Sequence, residues 1–149
     1  MIAELRNQLR CRPGRVYPSD MRVRIPQTGL YTYPDVVVAR GQERFDDQQQ
    51  DTLLNPTVVV EVLSKSTENF DRGKKFKQYR ALDSLAEYIL IAQNVHHLEH
   101  YIRQPDQQWR LSEADDLQDT IDLPAIDCTL TLADVYEKVD IASPSEDSD

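Results

Sequence analysis

Two carboxylates interrupt apolar runs in this chain, and their positions suit them to chemistry. Asp35 stands just before Val36-Val37-Val38, and Glu61 sits between Val58-Val59-Val60 and Val62-Leu63. A charge so placed is costly unless it is paired or holds a metal. Carboxylates on two neighbouring strands can converge on one Mg²⁺ and leave open positions for water and a phosphate. A lysine beside them would orient the attacking water and offset charge in the transition state. Lys75 has the spacing for that role: Asp71, Lys75, Tyr79 and Leu82 follow one another at i, i+4, i+8 and i+11 on one helical face, the face expected to turn toward the sheet. Lys74 and Lys77 are offset from it and expected in solvent. Asp71, one turn before Lys75, is placed to hold the amine.

The same residues admit plainer readings. Asp35 by itself fits a strand entrance, where a carboxylate bonds a neighbouring backbone N–H. Glu61 and Lys75 fit a structural ion pair, whose removal would unfold the domain rather than silence it. Asp20, at the joint before an alternating strand, reads equally as a ligand or a turn residue. His96, His97 and His100 have no cysteine nearby. Strand alternation puts His96 and His100 on one face and His97 on the other, so this segment reads as an exposed hairpin strand and not as a zinc site. Ser64, Ser66 and Thr67 have no triad partner in the sequence and read as turn and capping residues.

The elements that must position these groups follow from pattern. Thr57–Leu63, rich in β-branched residues, reads as a buried strand, a polar turn follows, and the helix bearing Lys75 runs to about Leu82 with Thr67 or Asn69 as its cap. Earlier, residues 2–10 read as an amphipathic helix, Arg15–Tyr17 and Met21–Ile25 as strand pieces, and Tyr31–Ala39 as one strand. Residues 40–55 are polar, with a Gln48-Gln49-Gln50 tract, and read as a surface loop. Later, Glu87–Ala92 reads as a buried strand, Val95–Arg103 and Trp109–Ser112 as a hairpin around Gln104-Pro105-Asp106, Ile121–Leu123 and Cys128–Leu130 as short strands, and Leu132–Val139 as a last helix. Strands and helices mix, so the class is α/β or α+β, with a sheet of five or more strands. Residues 1–140 are expected to form a single domain and residues 141–149 an acidic, disordered tail.

Composition bounds the partners. The chain has 149 residues, 40% hydrophobic and 29% charged, an ordinary globular balance. No apolar run approaches the roughly 20 residues that span a bilayer, so no membrane partner is expected. Two distant cysteines, Cys11 and Cys128, suit a reduced, cytoplasmic chain. The net charge of −9 is unevenly spread: residues 112–149 hold 12 Asp and Glu against Lys138 alone, whereas residues 1–111 hold 16 Lys and Arg against 14 Asp and Glu. The mildly basic body does not oppose a polyanion. The cluster Arg72, Lys74, Lys75, Lys77 and Arg80 tracks phosphates or forms a solvated helix face.

Read together, Pro34-Asp35, then Glu61-Val62-Leu63-Ser64-x-Ser66-Thr67, then Asp71-Arg72-Gly73-x-Lys75-x-x-x-Tyr79, then Glu87-Tyr88 resemble a restriction endonuclease-like family of the PD-(D/E)XK nuclease superfamily. The resemblance covers about residues 1–103. It implies a restriction endonuclease-like mixed β-sheet flanked by helices, dependence on Mg²⁺ or Mn²⁺, and hydrolysis of phosphodiester bonds in DNA. It also implies that Asp35 and Glu61 are the metal ligands. The superfamily's lysine ordinarily stands two residues after the glutamate, where this chain has Leu63; the resemblance moves it to Lys75, supported by Asp71 and Tyr79. Asp20 resembles a further acidic position near the site. Members begin some tens of residues earlier, so this chain is expected to lack the family's N-terminal segment. The alternative is a catalytically inactive nuclease fold that acts as a scaffold, binding a protein partner or pairing with a second copy through a sheet edge. A small-molecule hydrolase has no positive support.

Overall fold

The computed structural model describes residues 14–46, 51–64 and 71–136, and for Asp71 and Arg72 the backbone only. The expected helix over residues 2–10, Cys11, the glutamine tract, the turn residues Ser66, Thr67 and Asn69 and the acidic tail lie outside the described residues. Within them, strands β1 (Arg15–Tyr17), β4 (Val36–Ala39), β6 (Val58–Leu63), β7 (Glu87–Ala92), β8 (Leu98–Arg103) and β9 (Trp109–Ala114) form a six-stranded sheet in the order β1-β4-β6-β7-β8-β9. The β6–β7 pair is parallel and the others are antiparallel. A parallel pair needs a crossover, and the segment that bears Lys75 supplies it. A π-helical turn (Asp71–Lys75) runs into helix α1 (Phe76–Tyr79).

The near-continuous apolar runs of β4 and β6 exist because both faces of the sheet are covered. Val36, Val38, Val58, Val60, Ile89 and Ile91 point to one face. It is capped by the hairpin β10 (Thr120–Leu123) and β11 (Cys128–Thr131) and by helix α2 (Leu132–Val135), through Ile121, Leu123, Leu130 and Leu132. Thr131 and Asp134 cap α2 reciprocally. Val37, Val59, Leu63, Tyr88 and Leu90 point to the other face, where Phe76, Tyr79, Leu82 and Leu85 cover them. A three-stranded sheet, β3 (Leu30–Thr32), β2 (Arg22–Ile25) and β5 (Thr52–Leu53), completes that cover with Val23, Ile25 and Leu53. Phe76 stacks on Tyr88 with ring centroids 4.8 Å apart and meets Trp109 edge-on at 5.2 Å.

Three expectations are corrected. Tyr31–Ala39 is two strands in two sheets: Pro34 removes a ladder donor and breaks the run, so β3 pairs with β2 while β4 joins the large sheet. The polar stretch 40–55 contains β5, and its Leu53 is fully buried against β2. The histidine segment is not an exposed strand. His100 is buried, its Nε2 lies 2.5 Å from Glu87 Oε1, and Glu87 Oε2 accepts from the backbone N–H of Ala125 at 2.8 Å. No helix of the described residues is long and apolar enough to cross a membrane.

Glu87 is fully buried and serves two donors. Glu87→Ala strands the imidazole of His100 and the N–H of Ala125 away from water. It is expected to destabilise the fold by about 3–5 kcal/mol, measured by urea unfolding against wild type.

Candidate active site

Sheet register sets side by side the two strands that lead to Asp35 and Glu61. Residues 36–38 of β4 pair with residues 60–58 of β6. The pairing ends at Val36 opposite Val60, and Asp35 and Glu61 are the next residues along the two chains, with Glu61 on the face of Val59 and Leu63. That face is the one covered by α1, because Glu61 alternates with Val59 and Leu63. Asp35 is half-buried at the mouth of β4, and its Oδ2 accepts from the backbone N–H of Val62 at 2.7 Å. The backbone bond foreseen for a strand entrance is therefore present, and it fixes the carboxylate beside the strand that carries Glu61.

The Glu61 side chain is only 4% exposed, and the Nζ of Lys75 lies 2.5 Å from its Oε2. Lys75 arrives from the last residue of the π-helical turn. Such a turn fits an extra residue into a helix and is often retained where it aims a side chain. Lys75 is half-buried while Lys74 and Lys77 are exposed, as the helical spacing predicts. Tyr79, one turn on, is fully buried, and its hydroxyl donates to Thr32 Oγ1 at 3.2 Å. This bond ties α1 to β3, the strand that leads into Pro34-Asp35. Asp71 lies in the same turn, four residues before Lys75. Asp20 lies in the exposed turn between β1 and β2, and no hydrogen bond or ion pair joins it to Asp35, Glu61 or Lys75.

The outer side of the helix is basic. Lys74, Lys77 and Gln78 line a groove of about 610 Å³ with Thr28, Gly29 and Leu30. Lys77, Arg80, Arg103 and Trp109 line a second, of about 380 Å³. Beyond the first groove, the guanidinium groups of Arg22 and Arg24 lie 4.7 and 5.4 Å from the ring of Tyr31, which is exposed together with Tyr33.

Residue-by-residue inspection of the sequence missed a second group of side chains whose atoms could ligate a metal. His97, Glu99 and Glu113 place one ligand atom each within 4.8 Å of one another. The register explains why: Glu61 pairs with Leu90, Leu90 with Glu99, and Glu99 with Glu113, so one rung carries three acids across the sheet. The alternation His97-Leu98-Glu99 was available as a signal, but Glu113 comes from another strand and only pairing supplies it. The hydrogen bond that the His97 ring donates to Asp115 raises the His97 pKa above the ordinary histidine value; partial burial opposes it, and the charges of Asp115 and Glu99 reinforce it.

A folded pKa raised in this way adds stability below about pH 6.5, and that contribution is lost as pH rises through the folded value. Asp115→Asn is expected to lower the His97 midpoint in the metal-free protein, read from imidazole chemical shifts in an NMR titration. An unchanged midpoint would assign the shift to other neighbours.

A family model, Uma2, described as "Putative restriction endonuclease", matches residues 1–133. Two proteins of Synechocystis sp. (strain ATCC 27184 / PCC 6803 / Kazusa), both described as uncharacterized, are similar in sequence. Protein sll1609 is 41% identical over 102 residues, covering 68% of this chain and 58% of that protein. Protein slr1290 is 31% identical over 118 residues, covering 79% of this chain and 60% of that protein. The chain thus spans about three-fifths of the length of these relatives. The fold is similar to that in the crystal structure of "a putative nuclease belonging to DUF820" from Anabaena variabilis ATCC 29413, with a TM-score of 0.71 at 14% identity, over 93% of this chain and 76% of that one.

Proposed function

The chain belongs to the Uma2 family, described as "Putative restriction endonuclease", and on that premise we propose that it hydrolyses phosphodiester bonds in DNA with a divalent metal ion. The observation that carries this reading is the contact of Lys75 with Glu61, beside the Val62 N–H that holds the Asp35 carboxylate. The donor set suits the ion: both carboxylates offer hard oxygens, Glu61 from β6 and Asp35 from the mouth of β4, the preference of Mg²⁺ and Mn²⁺. In this reading Asp35 and Glu61 hold the cation. The cation, when bound, polarises the phosphoryl group and makes bound water more acidic.

The remaining roles fall to the chain's own groups. Lys75 swings from Glu61 to position the attacking water and to face the charge gathered on the phosphorus oxygens. Tyr79 keeps α1 against β3 and so keeps Lys75 over Glu61; the support expected of Asp71 falls on a side chain outside the described residues. Asp20, in its exposed turn, is assigned a contact with the metal's water shell or the substrate side. Lys74, Lys77 and Arg80 give the outer side of the helix a basic strip that suits a phosphate backbone, with the arginine-flanked Tyr31 as an extension of it.

A second reading is favoured by one specific observation: the amine of Lys75 lies on Glu61 itself, the geometry of a structural ion pair. In that case the domain is an inactive scaffold for a protein partner or a second copy.

Nicking of supercoiled plasmid in Mg²⁺ or Mn²⁺ separates the two. Glu61→Gln and Lys75→Ala are each expected to lower the rate about 10²–10³-fold, with circular dichroism and melting showing a folded chain. Wild-type nicking that Glu61→Gln leaves unchanged removes the mechanism. Absence of nicking, combined with unfolding of both variants, establishes the scaffold.

A further inference from the structure

The rung that carries Glu61 ends, two strands further on, in a second set of donors. His97 Nε2 lies 3.4 Å from Glu99 Oε2 and 3.5 Å from Glu113 Oε1. Ligands about 2.1 Å from a tetrahedral centre are about 3.4 Å apart, so these two separations fit one small cation. The other ring nitrogen, Nδ1, lies 2.5 Å from Asp115 Oδ1. A carboxylate behind a ligating histidine fixes the tautomer that presents the opposite nitrogen to a metal, and it raises that nitrogen's basicity.

The scaffold around these donors is held in place. Glu99 is nine-tenths buried, and the hydroxyl of Tyr101 donates to its Oε1 at 3.0 Å, leaving Oε2 toward His97. The backbone N–H of His97 donates to the hydroxyl of Tyr136 at 3.3 Å. That same hydroxyl is 2.6 Å from the carbonyl of Ala92 and 2.9 Å from that of Val95. The loop that delivers His97 is therefore pinned at both ends. Glu113, the third donor, is half-exposed on the edge strand β9 and keeps the site open to solvent.

We propose that His97, Glu99 and Glu113 form a binding site for a divalent transition cation of the Zn²⁺ class, fastening the loop before β8 to the edge strand β9. An imidazole nitrogen with two carboxylates favours Zn²⁺ over Mg²⁺, which takes oxygen ligands and holds its waters. The site is distinct from the Asp35–Glu61 acids. Glu99 is two strands from Glu61, about 10 Å at ordinary strand spacing, and two ions that share one phosphate lie only about 4 Å apart. It therefore does not depend on nuclease activity.

Isothermal calorimetry on the full chain, stripped of metal and titrated with ZnCl₂ or MgCl₂, tests this. The expected result is uptake of one equivalent of Zn²⁺, with Mg²⁺ giving no heat that depends on His97. His97→Ala abolishes the Zn²⁺ uptake, and Asp115→Asn weakens it about 10–100-fold. Zn²⁺ is also expected to raise the melting temperature of wild type but not of His97→Ala. Equal Zn²⁺ binding by wild type and His97→Ala, the mark of adventitious surface carboxylates, overturns the proposal. Absence of Zn²⁺ uptake overturns it too, leaving a protonated His97 within an acidic ion-pair cluster. Because Zn²⁺ uptake is read through His97 and nicking through Glu61, failure of one reading is distinguishable from failure of the other.

Discussion

The ion pair between Glu61 and Lys75 is the constraint on which the centre of this structure turns. A carboxylate placed in the third strand of a six-stranded sheet, between two strands and beneath a helix, has lost nearly all its water. In such surroundings an uncompensated charge is among the most expensive features a fold can carry. The compensation comes from the crossover that the parallel β6–β7 pair requires in any case. The turn that starts this crossover returns one amine to the strand it has just left. Chain topology and charge balance are thereby met by the same nine residues, Asp71–Tyr79.

Around that pair the sheet divides its two faces by use. The face of Val36, Val58, Ile89 and Leu98 is sealed by the β10–β11 hairpin and α2, and the buried contact of Glu87 with His100 ties that cover to the sheet through Ala125. The opposite face mixes core and chemistry. Phe76, Tyr79, Tyr88 and Leu90 fill it, yet the rung through Glu61, Leu90, Glu99 and Glu113 sets acids at intervals with an apolar spacer. Leu90 separates the two acidic groups, so each can take its own counter-charge: Lys75 for Glu61, and His97 or a cation for Glu99.

The basic outer side of α1 reconciles this chemistry with a net charge of −9. Lys74, Lys77 and Arg80 project outward because Phe76 and Tyr79 turn inward, and Arg103 reaches the same side from β8 over Trp109. Local charge, and not the sum over the chain, decides which partner a surface meets.

The residue pattern alone determined a good deal. Runs rich in β-branched residues at Val36–Ala39 and Val58–Leu63 pointed to buried strands, and helical spacing alone separated Lys75 from Lys74 and Lys77. Motif spacing from Pro34 to Tyr88 pointed to the family. What the pattern left out depends on contacts between distant segments. Pro34 reads as a pause in one strand, and only the competition between two sheets makes it a division. Thr52-Leu53 looks like part of a polar loop, because a two-residue strand carries no period of its own. His100 and Glu87 lie 13 positions apart, and Glu99 and Glu113 lie 14 apart. Strand register made them neighbours, and register is set by the packing of whole faces, a property that no single segment of sequence contains.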